Sequence, residues 1–236
     1  MAIYVIADLH LSFTVNKPMD IFGNNWENHE EKIRKSWIEK VKPEDTVILP
    51  GDFSWATYIE DAKLDFQFIN DLPGRKILLK GNHDYWWTTL TKMRDFLKEN
   101  DFCNIDFLYN NSYIVEGKVM VGTRGWTLQD NEESIKMINR ENERLKLSFK
   151  DAVANYGRDK EIIAFMHYPP ISSKNLLENS HLEFYKTMRE FGVKECYYGH
   201  LHGNAHGDAI EGEVGGINFH LISADYLNFE LRRICD

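Results

Sequence analysis

Cysteine, proline and basic residues are all scarce in this 236-residue chain, and each shortage removes a class of protein. The three cysteines, Cys103, Cys196 and Cys235, are odd in number and far apart, so neither a disulfide framework nor a thiolate zinc site is suggested. Buried free thiols in a reducing cytosol are the plain expectation. With 28 Lys and Arg against 37 Asp and Glu, the formal net charge is -9, which argues against gripping nucleic acid by phosphate neutralisation. No run approaches the roughly 20 apolar residues that span a bilayer. Met1 to Leu9 lacks a basic start and is interrupted by Asp8, so no signal peptide is expected. There is no internal repeat, low-complexity run or Pro- and Ser-rich linker, which favours a single domain over residues 1–236 in a soluble cytoplasmic protein.

What is present is alternation. Short segments rich in Ile, Val and Tyr predict strands at Ile3 to Ala7, Thr46 to Leu49, Lys76 to Leu79, Lys118 to Val121, Ile162 to Met166 and Glu195 to Tyr198. Helical spacing runs from Glu30 to Lys40, Ile59 to Asn70, Thr88 to Glu99, Glu132 to Ala154 and His181 to Phe191. Alternation of this kind predicts an α/β fold. A tail at Gly207 to Glu211, Ile217 to Ser223 and Leu227 to Ile234 reads as antiparallel strands, making two sheets plausible.

Five of the strand candidates run directly into residue types that commonly ligate metals. They are Asp8 with His10, Gly51 Asp52, Gly81 Asn82 His83 Asp84, His167, and Gly199 His200 Leu201 His202. Each alone is a weak signal, since Asp starts turns and a lone His is often structural. Ligands of open α/β sheets gather at the carboxyl ends of strands, so five such segments in this order predict one site.

In these motifs the sequence resembles the calcineurin-like metallophosphoesterase superfamily, with Asp-x-His, Gly-Asp, Gly-Asn-His-Asp, His and Gly-His-x-His all intact between positions 8 and 202. The resemblance implies a four-layer αββα sandwich with two central mixed sheets flanked by helices, and a dinuclear centre. In that pattern Asp8, His10 and His202 hold one ion, Asn82, His167 and His200 hold the other, and Asp52 bridges them. Imidazole and carboxylate donors suit Mn, Fe, Co or Zn better than Ca. The implied activity is hydrolysis of a phosphomonoester or phosphodiester by water activated on the two ions. His83 resembles the family's acid on the leaving oxygen, and Asp84 either orients that imidazole or anchors the turn.

Gly51 Asp52 continues into Phe53 Ser54 Trp55 Ala56 without the second Asp and the Arg of the phosphoprotein phosphatase branch. Trp55 also stands where the repair nucleases carry a His, so the usual partner of the catalytic His is missing. Aromatic residues crowd the same strand ends. Trp55, Trp86 and Arg124 are candidate substrate contacts, with core packing the alternative for the two tryptophans. His29, His181, His206 and His220 match no motif and default to structural or exposed roles. A small-molecule or nucleotide substrate is favoured by the acidic balance, with a nuclease or a metal-independent interaction scaffold as alternatives.

Overall fold

A computed structural model describes residues 1–173 and 182–235 of the chain. In the first sheet, strands β1 (Ile3–Val5), β2 (Thr46–Pro50), β3 (Arg75–Leu79) and β4 (Ile105–Phe107) run parallel. A final strand, β11 (Arg232–Cys235), lies antiparallel against β1, giving the order β11-β1-β2-β3-β4. In the second sheet β6 (Lys118–Thr123), β7 (Ile162–Met166), β8 (Glu195–Tyr198) and β10 (Ile217–Leu221) are parallel. Antiparallel β5 (Tyr113–Val115) and β9 (Gly212–Val214) edge it, giving the order β5-β6-β7-β8-β10-β9.

Side-chain alternation sorts the strand residues into three cores. Ile3, Val5, Ile48 and Ile77 of the first sheet meet Met120, Ile163 and Phe165 of the second, which makes the seam between the sheets. Their neighbours Tyr4, Val47 and Leu78 face the other way, onto Trp37 of α1 (His29–Lys40), Phe66 of α2 (Lys63–Asn70) and Met93 of α3 (Leu90–Glu99). Val121, Ala164 and Cys196 likewise turn outward onto Leu145 and Phe149 of α4 (Glu132–Tyr156) and Phe184 of α5 (Glu183–Glu190). The result is the four-layer αββα sandwich, each fully buried Leu, Ile or Phe contributing about 1.5–3 kcal/mol.

The expected strands and helices are present, with a boundary shift at α2, which begins at Lys63 rather than Ile59. The expected helix start at His181 lies outside the described residues, and α5 begins at Glu183. Strands β4 and β5 escape a reading of the sequence, because each is three residues long and β4 has Asp106 in its middle. Glu116 and Gly117, both at positive φ, close the β5–β6 hairpin without the Asn-Gly pair that normally advertises such a turn. In the tail, Gly203–Asp208 is a 3-10 turn rather than a strand from Gly207. β10 pairs in parallel with β8 and antiparallel with β9, which lies at Gly212–Val214 outside the expected segments, and β11 pairs antiparallel with β1. Cys103 is exposed, against the expectation of burial, because it sits in the turn before β4, while Cys196 is buried.

Candidate metal centre

The parallel strands β1, β2 and β3 of one sheet and β6, β7 and β8 of the other end at the same edge of the sandwich. Asp8 and His10 follow β1, Asp52 follows β2, Asn82 and His83 follow β3, His167 follows β7, and His200 and His202 follow β8. Their donor atoms gather into two groups that can hold an ion, Asp8 with His10 and His202, and Asp52 with His167 and His200. Each group draws on both sheets. His10 Nε2 lies 3.3 Å from His202 Nε2, and Asn82 Oδ1 lies 2.6 Å from His167 Nε2. Asp52 Oδ2 is 3.8 Å from His10 Nε2 and 3.5 Å from His167 Nε2.

Backbone strain is concentrated here. Asp8, His10, Asp52 and His200 have φ of 61, 47, 49 and 74°, the left-handed region that costs side-chain-bearing residues about 1–3 kcal/mol each. Such conformations turn the chain sharply at the strand end and leave the ligand side chains facing one another. The loops are pressed together as well. A Cβ on Gly81 would lie 2.1 Å from the Asp52 amide nitrogen, and one on Gly199 would lie 2.5 Å from Asp8 Oδ2. Asp84 ties two of these loops. Its carboxylate accepts from the amides of Asp52, Phe53 and Ser54 on one loop, from the Gly81 amide on its own loop, and from Trp86 Nε1.

Electrostatics favour a cation at this place. Burial pushes Asp8 up to about 7, opposed by His202 and assisted by Asp52. Burial likewise raises Asp52 to about 6 against the lowering pull of His83. His10 and His167 are driven well down by burial, and His200 falls to about 3 by burial and the neighbouring imidazoles. Burial would lower His202 too, but its hydrogen bond to Asp225 and the charges of Asp8, Asp225 and Asp52 raise it to about 9. Two carboxylates pressed toward neutrality beside His10, His167 and His200, whose imidazoles resist protonation, form a donor set that a divalent cation would satisfy. Asp8 Oδ1 is buried without a hydrogen-bond partner and His10 turns Nε2 toward His202 and Asp52, so the residues present fit a metal pair.

A sequence profile of the calcineurin-like phosphoesterases matches residues 1–204. The chain belongs to the calcineurin-like phosphoesterase family. Metal-dependent phosphoester hydrolysis is therefore its general chemistry. Solved structures share the fold at low identity. The protein TT1561 of Thermus thermophilus is 14% identical with a TM-score of 0.56, over 100% of this chain and 99% of that one. A phosphopantetheinyl hydrolase from Mycobacterium tuberculosis is 13% identical with a TM-score of 0.54, over 99% and 95%. AQ665 of Aquifex aeolicus, a protein of unknown function, is 19% identical with a TM-score of 0.50, over 98% and 95%. No curated protein matches in sequence.

Within this phosphoesterase the residues expected to assist the ligands fall into different places. His83 borders Asp52, whose Oδ1 accepts from the His83 amide at 2.8 Å. Its imidazole is packed against Trp55, with ring centroids 4.4 Å apart, and its Nδ1 is buried without a hydrogen-bond partner. Trp55 also stacks on His10 at 4.9 Å and 22°. A ring thus occupies the place where the related branches carry a polar partner. Asp84 spends its oxygens on backbone amides and Trp86 Nε1, and none of these bonds reaches the His83 ring. Trp86 is 2% exposed among Phe53, Phe66 and Phe107, so it packs in the core, against the expectation of a stacking rim. Arg124 is half-buried beside Glu141 and Trp126.

Three supporting residues carry no sequence motif. Asp225 accepts from His202 Nδ1 at 2.8 Å and from the Gly203 amide, fixing which nitrogen His202 turns to the site. Tyr168 lies on His200, with centroids 4.1 Å apart, and Trp26 sits edge-on to His10 and His202. Of the motif-free histidines, His29 is buried beside Glu30, His206 lies near Asp225, and His220 is paired with Glu195. His181 lies outside the described residues.

Proposed function

We propose that the chain hydrolyses a small phosphomonoester or phosphodiester, nucleotides included, using two divalent transition-metal ions of the Mn, Fe or Zn type, Co also fitting. Asp8, His10 and His202 would hold one ion, Asn82, His167 and His200 the other, and Asp52 would bridge. The observation that carries this reading is the placement of Asp52 Oδ2 within 3.8 Å of an imidazole from each set. When bound, such a pair acidifies water and offsets charge on a phosphoryl group.

The chain's own residues then divide the work. In the reaction the oxygen of water joins phosphorus, the bond from phosphorus to the leaving oxygen breaks, and that oxygen takes up a proton. His83 is assigned the proton, since it borders Asp52 and Trp55 holds its ring by packing. Arg124 and Trp55 are assigned to the substrate pocket, whereas Asp84 positions the ligand loops. The net charge of -9 supports a small substrate over nucleic acid. The cytoplasm is assigned as its place of action from the sequence, and no described helix is long and apolar enough to cross a membrane.

Elemental analysis after reconstitution with Mn, Fe or Zn, followed by a panel of phosphomonoesters, phosphodiesters, nucleotides and DNA, tests the proposal. About two ions per chain are expected. Asp52→Ala should lose more activity than Asp8→Ala, because its carboxylate serves both sets. A folded protein that takes up no metal would end this reading.

A further inference from the structure

A cavity of about 320 Å³ opens where Lys80 and Arg124 leave β3 and β6, and its lining is the reverse of the protein's overall charge. Lys80, Arg124, Arg140 and Arg144 contribute four cations, while Glu141 is the one acidic side chain among the described lining residues. Glu141 is buried and already engaged. It accepts from Thr123 Oγ1 at 2.7 Å, and its Oε1 lies 3.5 Å from both Arg124 Nη2 and Arg144 Nε. One carboxylate therefore sets the position of two guanidinium groups without balancing the charge of four cations in a chain whose total is -9.

The guanidinium groups are also fixed from the side. Arg124 Cζ lies 4.6 Å from the centre of the Trp126 ring, and Arg144 Cζ lies 4.9 Å from the centre of the Tyr109 ring. Two buried donors of the lining, Arg124 Nε and Trp87 Nε1, have no hydrogen-bond partner. Leaving such groups unpaired is unfavourable, and an anion with several acceptor oxygens would relieve it.

The cavity is joined to the centre through short connections. The Arg124 carbonyl accepts from the amides of His167 and Tyr168, and Lys80 stands two residues before Asn82. Trp126 lines both this cavity and the neighbouring opening that includes His200 and Tyr168. A ligand occupying both openings would pass Trp126.

We propose that this cavity is a second anion subsite, and that the substrate is a small molecule carrying two phosphate groups, of which one is hydrolysed and the other is held by Arg124, Arg140, Arg144 and Lys80. This rests on the phosphoesterase reading of the metal centre. Phosphate is favoured over carboxylate because several cations converge on one space and guanidinium forks match its oxygens.

The test uses the Mn-loaded full chain and compares kcat/KM for glucose 1,6-bisphosphate, glucose 1-phosphate, 3-phosphoglycerate and p-nitrophenyl phosphate. The bisphosphate is expected to lead glucose 1-phosphate by about 10- to 100-fold, the scale of a charged hydrogen bond or two. Arg144→Met should bring that ratio toward one, chiefly through KM, and Arg144→Lys should restore part of it. A merely structural arginine would lower melting temperature and all rates together, leaving the ratio unchanged. Equal kcat/KM for both glucose phosphates would overturn the subsite while leaving the metal centre intact, and so would a preference confined to 3-phosphoglycerate. Failure to hydrolyse any phosphoester would instead sink the phosphoesterase reading itself.

Discussion

Replacing Asp84 by Asn removes one carboxylate oxygen while nearly preserving shape, and the hydrogen bonds around it set the cost. Oδ1 accepts from Phe53 N, Ser54 N and Trp86 Nε1, and Oδ2 accepts from Asp52 N and Gly81 N. If the amide oxygen keeps the three bonds at Oδ1, its NH2 faces two backbone donors that it cannot satisfy. At about 1–3 kcal/mol for each buried unsatisfied group, Asp84→Asn should lose about 2–6 kcal/mol of folding stability. The loss falls on the amides of Asp52 and Gly81, so the loops carrying Asp52 and Asn82 should separate and metal affinity should drop with it. Urea unfolding of the apo protein gives the stability term, and competition with a chelator gives the affinity. A variant with wild-type stability and full metal content but little activity would refute the anchoring role and return Asp84 to the chemistry of His83.

Trp86→Ala should cost about 3–5 kcal/mol because it empties a core site, with KM in the surviving enzyme unchanged; a raised KM at unaltered stability would put the ring back at the substrate. His83→Ala should keep its metal and slow hydrolysis by about 100-fold, with a larger deficit for alkyl than for nitrophenyl esters, since the poorer leaving group needs the proton more. An equal deficit for both would leave His83 with positioning alone. Lys76, fully buried with its ammonium on the Leu72 carbonyl and over the Trp37 ring, is lowered by burial to about 8. Between that value and the ordinary 10.5 the unfolded chain binds more protons, so stability should rise with pH across this window. Lys76→Met should flatten that rise in urea midpoints, and an unchanged slope would assign it to other groups.

The two candidate ion-holding groups were legible because their residues closely follow apolar runs, and the runs of β1, β2, β7 and β8 could be seen without knowing their partners. The layers were legible for the same reason, since period-two burial leaves few ways to cover two faces. Asp225 was not, because its relation to His202 is created by the loop after β10 and no local pattern marks it. Trp86 was misplaced by proximity in sequence. It lies three residues after His83, yet the turn anchored by Asp84 sends the two rings in opposite directions, one to the core and one to the site. The basic cavity was similarly hidden, as its cations come from the end of β3, the end of β6 and two turns of α4.

Both candidate ion sites straddle the two sheets, and that makes metal loading a cross-linking event. His10 and His202 are 192 positions apart, and an ion shared between them closes a loop of that length. By analogy with a disulfide, closing so long a loop restricts the unfolded chain far more than joining neighbours would. Chelation should then do more than abolish hydrolysis: amide exchange should quicken along the seam where Ile3 and Val5 meet Met120 and Ile163, none of them a candidate ligand. The ions would serve as rivets as much as reagents, and a cell short of metal would hold a protein that is easier to unfold as well as idle.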